Sequence, residues 1–538
     1  MLKEIIADIP VELPLQNLKN ILPQDFINFI SEKCGVNLEK IYEPLTSAEI
    51  ENVVETAHYV YEKIFASSML TPESKIVATD LIFGKLFERW KNSDTPELFF
   101  IKIQAKFTPA QIVNAIYHYA VDWQKYKWII NFFAAHKQIF PRQNKKIRTV
   151  GIYYTRLFSG GVERFISMII PTYIQLGYRV ILFTDIQLPK QEFPLPPQSE
   201  FFERVNFSTS RLATLRRLEE FSTLLKKYNV DLLISHMRAK DFPVFVQLLF
   251  CRLEGVKIAM QLHGSIMHED FRFPKALSYS LSDAMTVLSK TRKTFLENFG
   301  LRAYYIPNPI NLDAANFGGR DTKNFSNIIL WVGRIAADKN PFAALAIMKR
   351  VVKKIPTAKL KIIGAAENPS FLEKFRNAIQ TNGLEENVEL CGYHTNIKNF
   401  YEQADVLLNT SPHEGWALVI AESKFYELPL VLYELPDNEL TQDGKGCISV
   451  AQGDSYAAAQ AIIKILTDTD FRRKLSIQAR ESIQPFLNYD IGGAWQRLFD
   501  DLEKDSTENL RDSGNSQIQS ILLEEIFKLQ QQVKKSSN

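Results

Sequence analysis

"IRTVGIYYTRLFSGGVERFISMIIPTYIQLGYRVILFTD", Ile147–Asp185, decides the fold. A short apolar strand runs into a loop with paired glycines, Gly160 and Gly161. An amphipathic helix follows, and "RVILFTD" is a second strand. The rhythm continues through "DLLISHM", "VKIAMQLHG", "DAMTVLS" and "AYYIPN", each separated from the next by a helical stretch. Strand alternating with helix predicts a parallel sheet covered on both faces. A second set starts after Pro309 with "NIILWVGR", "AKLKIIG", "NVELCG", "ADVLLNTS" and "LPLVLYEL". Two α/β lobes in tandem are therefore expected. Ligands of open parallel sheets bind outside the carboxyl ends of the strands. Two such lobes facing each other predict a cleft, a common place for a small-molecule site.

The flanks read differently. Residues 1–145 form a helical extension. "SAEIENVVETAHYVYEKIFASSM" opens on a capping-box pattern at Ser47 and Ile50–Glu51, and Thr108–Pro109 opens a second long helical pattern. The lobes take 146–310 and 311–485, and a helix over 486–504 packs back on the first lobe. Residues 505–538 are a polar linker and an amphipathic helix with Ile518, Leu522, Ile526, Leu529 and Val533 on one face. That face suits docking on this chain, oligomerisation or a partner.

Bulk properties exclude several classes. Lys+Arg 64 against Asp+Glu 61 leaves a net charge of +3, which argues against a general nucleic-acid binder. Cys34, Cys251, Cys391 and Cys447 are scattered, so neither a zinc site nor a disulfide framework is indicated, and reduced core cysteines of a cytoplasmic protein are expected. The N-terminus is unlike a signal peptide, and the best apolar run, Trp128–Ala135, is too short to span a membrane. The basic helix "LRRLEEFSTLLKKY" reads as a solvated face, with peripheral contact on an anionic membrane as the sharper alternative.

The chemistry concentrates in "HEGWALVIAES", His413–Ser423. Glu414 lies in the loop after the strand "ADVLLNTS". Glu422 falls about two turns into a helix read from Trp416 onward. At about 1.5 Å per residue the carboxylates sit roughly 10 Å apart. Between them the backbone N–H groups of Gly415, Trp416, Ala417 and Leu418 form a helix N-terminus suited to an anion. Arg334, at the end of the lobe's first strand, and Lys339, at the start of the next helix, supply the cations. An extended ligand with hydroxyls at both ends and phosphate in the middle fits this set. Singly, each residue has a plain reading: His263 as a core histidine, Gly160–Gly161 as a turn, Trp416 as packing. Their joint placement favours the cleft.

Taken in order, "SGGVERF", "QLHG", "IPNPIN", "VGRIAADKN" and "EGWALVIAES" resemble the motifs of the retaining glycosyltransferases of the GT-B fold, family 4 type. The resemblance covers roughly residues 147–500. It implies two Rossmann-like lobes around a cleft and transfer of a sugar from a nucleotide-diphosphate donor, UDP- or GDP-linked, to a glycan, lipid-linked or protein acceptor. It implies that Glu422 binds the ribose, Glu414 the transferred sugar, and Arg334 and Lys339 the diphosphate. Gly160 and Gly161 would let the first-lobe loop approach the donor, and His263 would lie at the reaction centre. No metal is expected, and Asp468-Thr469-Asp470 carries little weight as a metal site. Ala417 stands where many relatives have glycine, and Glu427 where a small residue is common. A sugar-nucleotide epimerase or hydrolase on the same architecture and a non-catalytic binding subunit are the alternatives.

Overall fold

The computed structural model describes residues 46–66, 72–120, 123–141, 146–154, 160–184, 193–207, 214–236, 241–264, 278–310, 326–394, 396–435, 438–441 and 445–504. Cys34 and the expected tail helix around Ile518–Val533 lie outside the described residues.

Strands β1 (Thr149–Tyr153), β2 (Arg179–Thr184), β3 (Phe202–Asn206), β4 (Leu232–Ser235), β5 (Lys257–Gln261), β6 (Ala284–Val287) and β7 (Ala303–Tyr305) form one sheet in the order β3-β2-β1-β4-β5-β6-β7. Strands β8 (Ile328–Val332), β9 (Lys359–Ile363), β10 (Val388–Gly392), β11 (Val406–Asn409), β12 (Leu430–Tyr433) and β13 (Cys447–Val450) form the other, in the order β10-β9-β8-β11-β12-β13. Neighbouring strands run parallel in both. Each sheet reverses its order beside its first strand, between β1 and β4 and between β8 and β11. This opens a crevice at the strand ends.

Both lobes use the same side-chain device at that reversal. Asp231, just ahead of β4, accepts from the amides of Arg148 and Thr149 at 2.9 and 3.0 Å. Asp405, just ahead of β11, accepts from Ser326 and Ile328 at 2.9 and 3.1 Å. Each carboxylate satisfies amides where the neighbouring strand begins. Asp405 also holds the buried Arg472.

The N-terminal helices are α1 (Ser47–Ala66), α2 (Pro72–Lys91), α3 (Pro96–Lys106), α4 (Pro109–Tyr119) and α5 (Trp123–Ala135). Trp90 is fully buried among Phe100, Trp128 and Phe132, and its indole N–H donates to Pro96 O at 3.0 Å. The α1 capping box lies one residue earlier than expected. Thr46 and Glu49 form it, because the helix begins at Ser47 and its third position is Glu49. At α4, Thr108 and Gln111 complete the box.

The lobes add α6 (Gly161–Gln175), α7 (Leu215–Lys227), α8 (Asp241–Glu254), α9 (Lys290–Asn298), α10 (Pro341–Val351), α11 (Pro369–Thr381), α12 (Lys398–Gln403), α13 (Leu418–Phe425), α14 (Ser455–Thr467), α15 (Thr469–Leu487) and α16 (Ile491–Lys504). Tyr126 and Phe133 of α5 pack on Phe245 of α8, so the extension shares one apolar core with the first lobe. The helix expected over 486–504 begins only at Ile491, because the chain breaks at Asn488–Asp490 after α15, with Asp490 accepting from Gly493 N at 2.7 Å. Trp495, Leu498, Phe499 and Leu502 of α16 are buried in the core of the first lobe. The basic helix α7 buries Leu218, Phe221 and Leu225. Cys251 and Cys447 are core residues, but Cys391 is half-buried because β10 is an edge strand. Among the described residues no helix is long and apolar enough to cross a membrane.

Candidate active site

The carboxyl ends of the two sheets border one cleft of about 1020 Å³. The residues placed in the site from the sequence line it: Gly160, Gly161 and His263 from the first lobe, and Arg334, Lys339, Glu414, Gly415, Trp416, Ala417, Leu418 and Glu422 from the second.

Arg334 follows β8, and its guanidinium meets Asp338 at 2.8 Å. Lys339 ends a short 3₁₀ turn. Asn340 then takes a left-handed conformation at φ 50° and Pro341 starts α10. Thr410 pins this turn, donating to Asn340 O at 2.9 Å and accepting from Trp331 Nε1 at 2.9 Å. The Lys339 ammonium lies 2.6 Å from Glu414 Oε1. Both cations are thus paired with carboxylates that a more highly charged anion can displace. Beside Arg334, Gly364 has φ 147°, and a Cβ there would fall 1.9 Å from Gly333 O.

The Glu414–Gly415 loop touches the first lobe. A Cβ on Gly415 would lie 1.8 Å from His263 O, which explains the glycine. The buried Arg292 of α9 donates to Gly264 O at 2.7 Å and to Glu414 O at 3.2 Å, joining loops from both lobes. The helix expected from Trp416 starts at Leu418, because Ala417 is extended at ψ 112°. Its first amides carry no side-chain cap. Glu427, just past the helix, is left-handed at φ 56°, the conformation glycine adopts most readily.

Glu422 is buried in α13 and accepts from Tyr401 Oη at 2.7 Å. It also pairs with Arg164 of α6, a first-lobe residue. Burial, with the Glu422 carboxylate alongside, pushes the Tyr401 phenol well above its ordinary range.

His263 stands beyond β5, and its Nε2 lies 2.8 Å from Nδ1 of His236, which follows β4. Burial holds His236 far below the usual histidine range, with His263 adding to the effect. His263, enclosed except where its ring lines the cleft, is lowered by burial to about 3. A Cβ on Gly160 would fall 2.3 Å from Glu163 Oε2, so that side chain would have to shift, whereas Gly161 has nothing within 4 Å. His236, Arg164, Arg292 and Tyr401 were not singled out in the sequence. "ISHM" carries the same signal as "QLHG", a histidine ending an apolar strand. Arg164 stands inside "SGGVERF". Arg292 and Tyr401 have no local signature.

Among the described residues no group of three or more His, Cys, Asp and Glu could hold a metal ion. Asp468 of the Asp-Thr-Asp string caps α15 by accepting from Phe471 N at 2.9 Å. His236 Nε2, Gln261 Nε2, Asn308 Oδ1 and Trp416 Nε1 are buried with no partner among the described residues, and all four residues line the cleft. Buried polar atoms are normally satisfied, so four unsatisfied ones on residues of a single cleft are exceptional.

Comparison with known proteins agrees with the geometry. The family "Glycosyltransferase Family 4" matches residues 159–314, and "Glycosyl transferases group 1" matches residues 317–482. The chain is 25% identical over 302 residues to the Campylobacter jejuni GalNAc-alpha-(1->4)-GalNAc-alpha-(1->3)-diNAcBac-PP-undecaprenol alpha-1,4-N-acetyl-D-galactosaminyltransferase, covering 55% of this chain and 82% of that one. It is 29% identical over 287 residues to the amylovoran biosynthesis glycosyltransferase AmsD of Erwinia amylovora, covering 51% and 78%. Its fold matches sucrose-phosphate synthase of Thermosynechococcus elongatus with a TM-score of 0.55 at 17% identity, covering 66% of this chain and 99% of that one. HepE of Anabaena, solved in complex with UDP-glucose, matches at 0.52 and 16% identity, with the same coverage. One family matches each lobe, the motifs stand in order, and the fold is two facing parallel sheets, so the chain belongs to the family 4 type of GT-B glycosyltransferases and is a transferase enzyme.

Proposed function

We propose that the protein moves a sugar from a UDP-linked donor to a hydroxyl of a glycan, glycolipid or glycoprotein, with retention of anomeric configuration. One observation carries this reading: Arg334, Lys339, Glu414 and Glu422 line a single cleft at the carboxyl edge of the second sheet. A diphosphate suits the two cations and the uncapped amides of α13. Glu422 is the partner for ribose hydroxyls and Glu414 for hydroxyls of the transferred sugar. His263 and the Gly160–Gly161 loop close on the donor from the first lobe. The proposal assigns no metal; Arg334 and Lys339 stabilise the leaving diphosphate. The Campylobacter relative is named for a pyrophosphate-linked lipid acceptor, and the HepE structure holds UDP-glucose, which supports these substrate classes.

Front-face transfer puts the chemical burden on the leaving group. Removing one well-aimed donor group then costs about 3 kcal/mol, or roughly a hundredfold in rate. The test is a screen of UDP- and GDP-sugars for nucleoside diphosphate release, with and without lipid-linked oligosaccharides, followed by NMR assignment of the product anomer. Acceptor-dependent UDP release and a retained anomer are expected. Epimerised free nucleotide sugar, or no nucleotide binding at all, would contradict the proposal.

A further inference from the structure

His236 has no assigned role, yet it is built into the site. In the β4–β5 register Ser235 pairs with Met260, so His236 and Gln261 stand side by side one step further on. His263 follows two residues later on the same face. The imidazole rings meet edge to edge, with centroids 5.1 Å apart and planes 25° from parallel. Phe165 of α6 closes on both rings, and Tyr154 stands edge-on to His236. The nearby carboxylate, Glu163, accepts from Tyr154 Oη at 3.2 Å. His236 is 1% exposed.

A 2.8 Å contact between two neutral imidazoles needs one N–H and one bare nitrogen. Two arrangements meet that need. In the first, His236 donates from Nδ1, keeps a bare Nε2, and leaves His263 with its proton on Nδ1. In the second, His263 donates from Nε2 and His236 carries an N–H on its own Nε2. That N–H would face no acceptor among the described residues. A buried N–H without an acceptor is rarer and costlier than an unused lone pair, which favours the first arrangement.

We propose that His236 is a positioning residue for the transfer reaction: by donating from Nδ1 to His263 Nε2 it fixes His263 as the Nδ1–H tautomer and leaves that N–H to the cleft. A neutral donor there can meet a sugar oxygen without adding a positive charge that would compete with Arg334 and Lys339 for the diphosphate. The inference rests on the functional proposal only in placing His263 beside the donor sugar.

The test uses three variants of the full chain and two readouts. The first readout is ¹⁵N NMR of imidazole-labelled protein. Wild type is expected to show His263 protonated at Nδ1 and bare at Nε2. His236→Phe keeps a ring but removes the donor, and His263 should then revert to the Nε2–H tautomer. The second readout is UDP release from UDP-glucose and UDP-N-acetylhexosamines. His236→Phe should lower kcat about tenfold, the worth of one neutral hydrogen bond, with donor KM and UDP affinity nearly unchanged. His236→Asn, whose amide reaches the Nδ1 position, should restore most of kcat. His236→Gln, whose amide reaches the Nε2 position, should not. A wild-type His263 protonated at Nε2, or full kcat in both His236→Phe and His236→Gln, overturns the proposal. If wild type binds no UDP, the functional proposal fails instead, and the tautomer result still decides the role of His236.

Discussion

Arg164 of the first lobe and Glu422 of the second form an ion pair across the cleft. The same carboxylate accepts from Tyr401 of α12. If Glu422 receives the donor ribose, the incoming nucleotide must displace Arg164. The pair then acts as a latch that holds the lobes together until the donor arrives.

The latch makes a prediction of definite sign. Arg164→Gln should tighten UDP binding by about 1 kcal/mol, roughly fivefold, because the ion pair between the partly exposed Arg164 and the buried Glu422 no longer competes. Calorimetry with UDP measures this. Weaker binding would mean that Arg164 is itself a nucleotide ligand.

The second-lobe residues should separate binding from turnover. Glu422→Ala is expected to raise donor KM. Arg334→Ala and Lys339→Ala are expected to lower kcat by roughly a hundredfold. Tyr401→Phe removes one buried hydrogen bond but keeps the ring, so it should cost about 1 kcal/mol of stability with little change in kcat. Steady-state kinetics and urea melts check the set. Unchanged kinetics in the first three would remove the assignment.

Two glycines give a matched contrast. Gly415→Ala places a methyl against the His263 carbonyl, backbone against backbone, where no side chain can move aside. It should cut activity more than tenfold and lower Tm, an overpacking cost of about 1–3 kcal/mol. Gly161→Ala meets nothing within 4 Å and should fold and melt like wild type. Equal behaviour of the two would show that the lobes do not meet at Gly415.

The histidine pair sets a pH dependence. His236 is held well below its ordinary value and His263 at about 3, both chiefly by burial. The unfolded chain takes up these protons near pH 6.5, and the folded chain does not until far lower. Unfolded protein therefore binds more protons below about pH 6.5, and stability falls as pH drops. Each imidazole contributes up to about 1.4 kcal/mol per pH unit in that window. Urea midpoints from pH 7.5 to 5 should fall for wild type and fall less steeply for His236→Phe. Parallel slopes would contradict the buried pair.

Most strands were legible because their buried runs, such as "VILF" or "VLL", are apolar and bounded by turn residues, whereas β3 and β13 escaped because they are sheet edges and only partly buried. The site was legible where residues close in sequence act together, as with Glu414 and Glu422, or where a polar residue ends a strand. What escaped depends on contacts that no local pattern encodes. Arg164 meets Glu422 from 258 positions away (422 − 164). Arg292 reaches two carbonyls on loops of different lobes. The early start read for α13 has a backbone cause: the chain bends at Gly415 and Trp416 and is extended at Ala417 before the helix begins.

The most direct test of the central claim is a structure with UDP bound. The account predicts diphosphate oxygens on Arg334 and Lys339, ribose hydroxyls on Glu422, and Arg164 released from that carboxylate. A nucleotide bound with Glu422 still paired to Arg164, and with its phosphates beyond reach of Arg334 and Lys339, would contradict it.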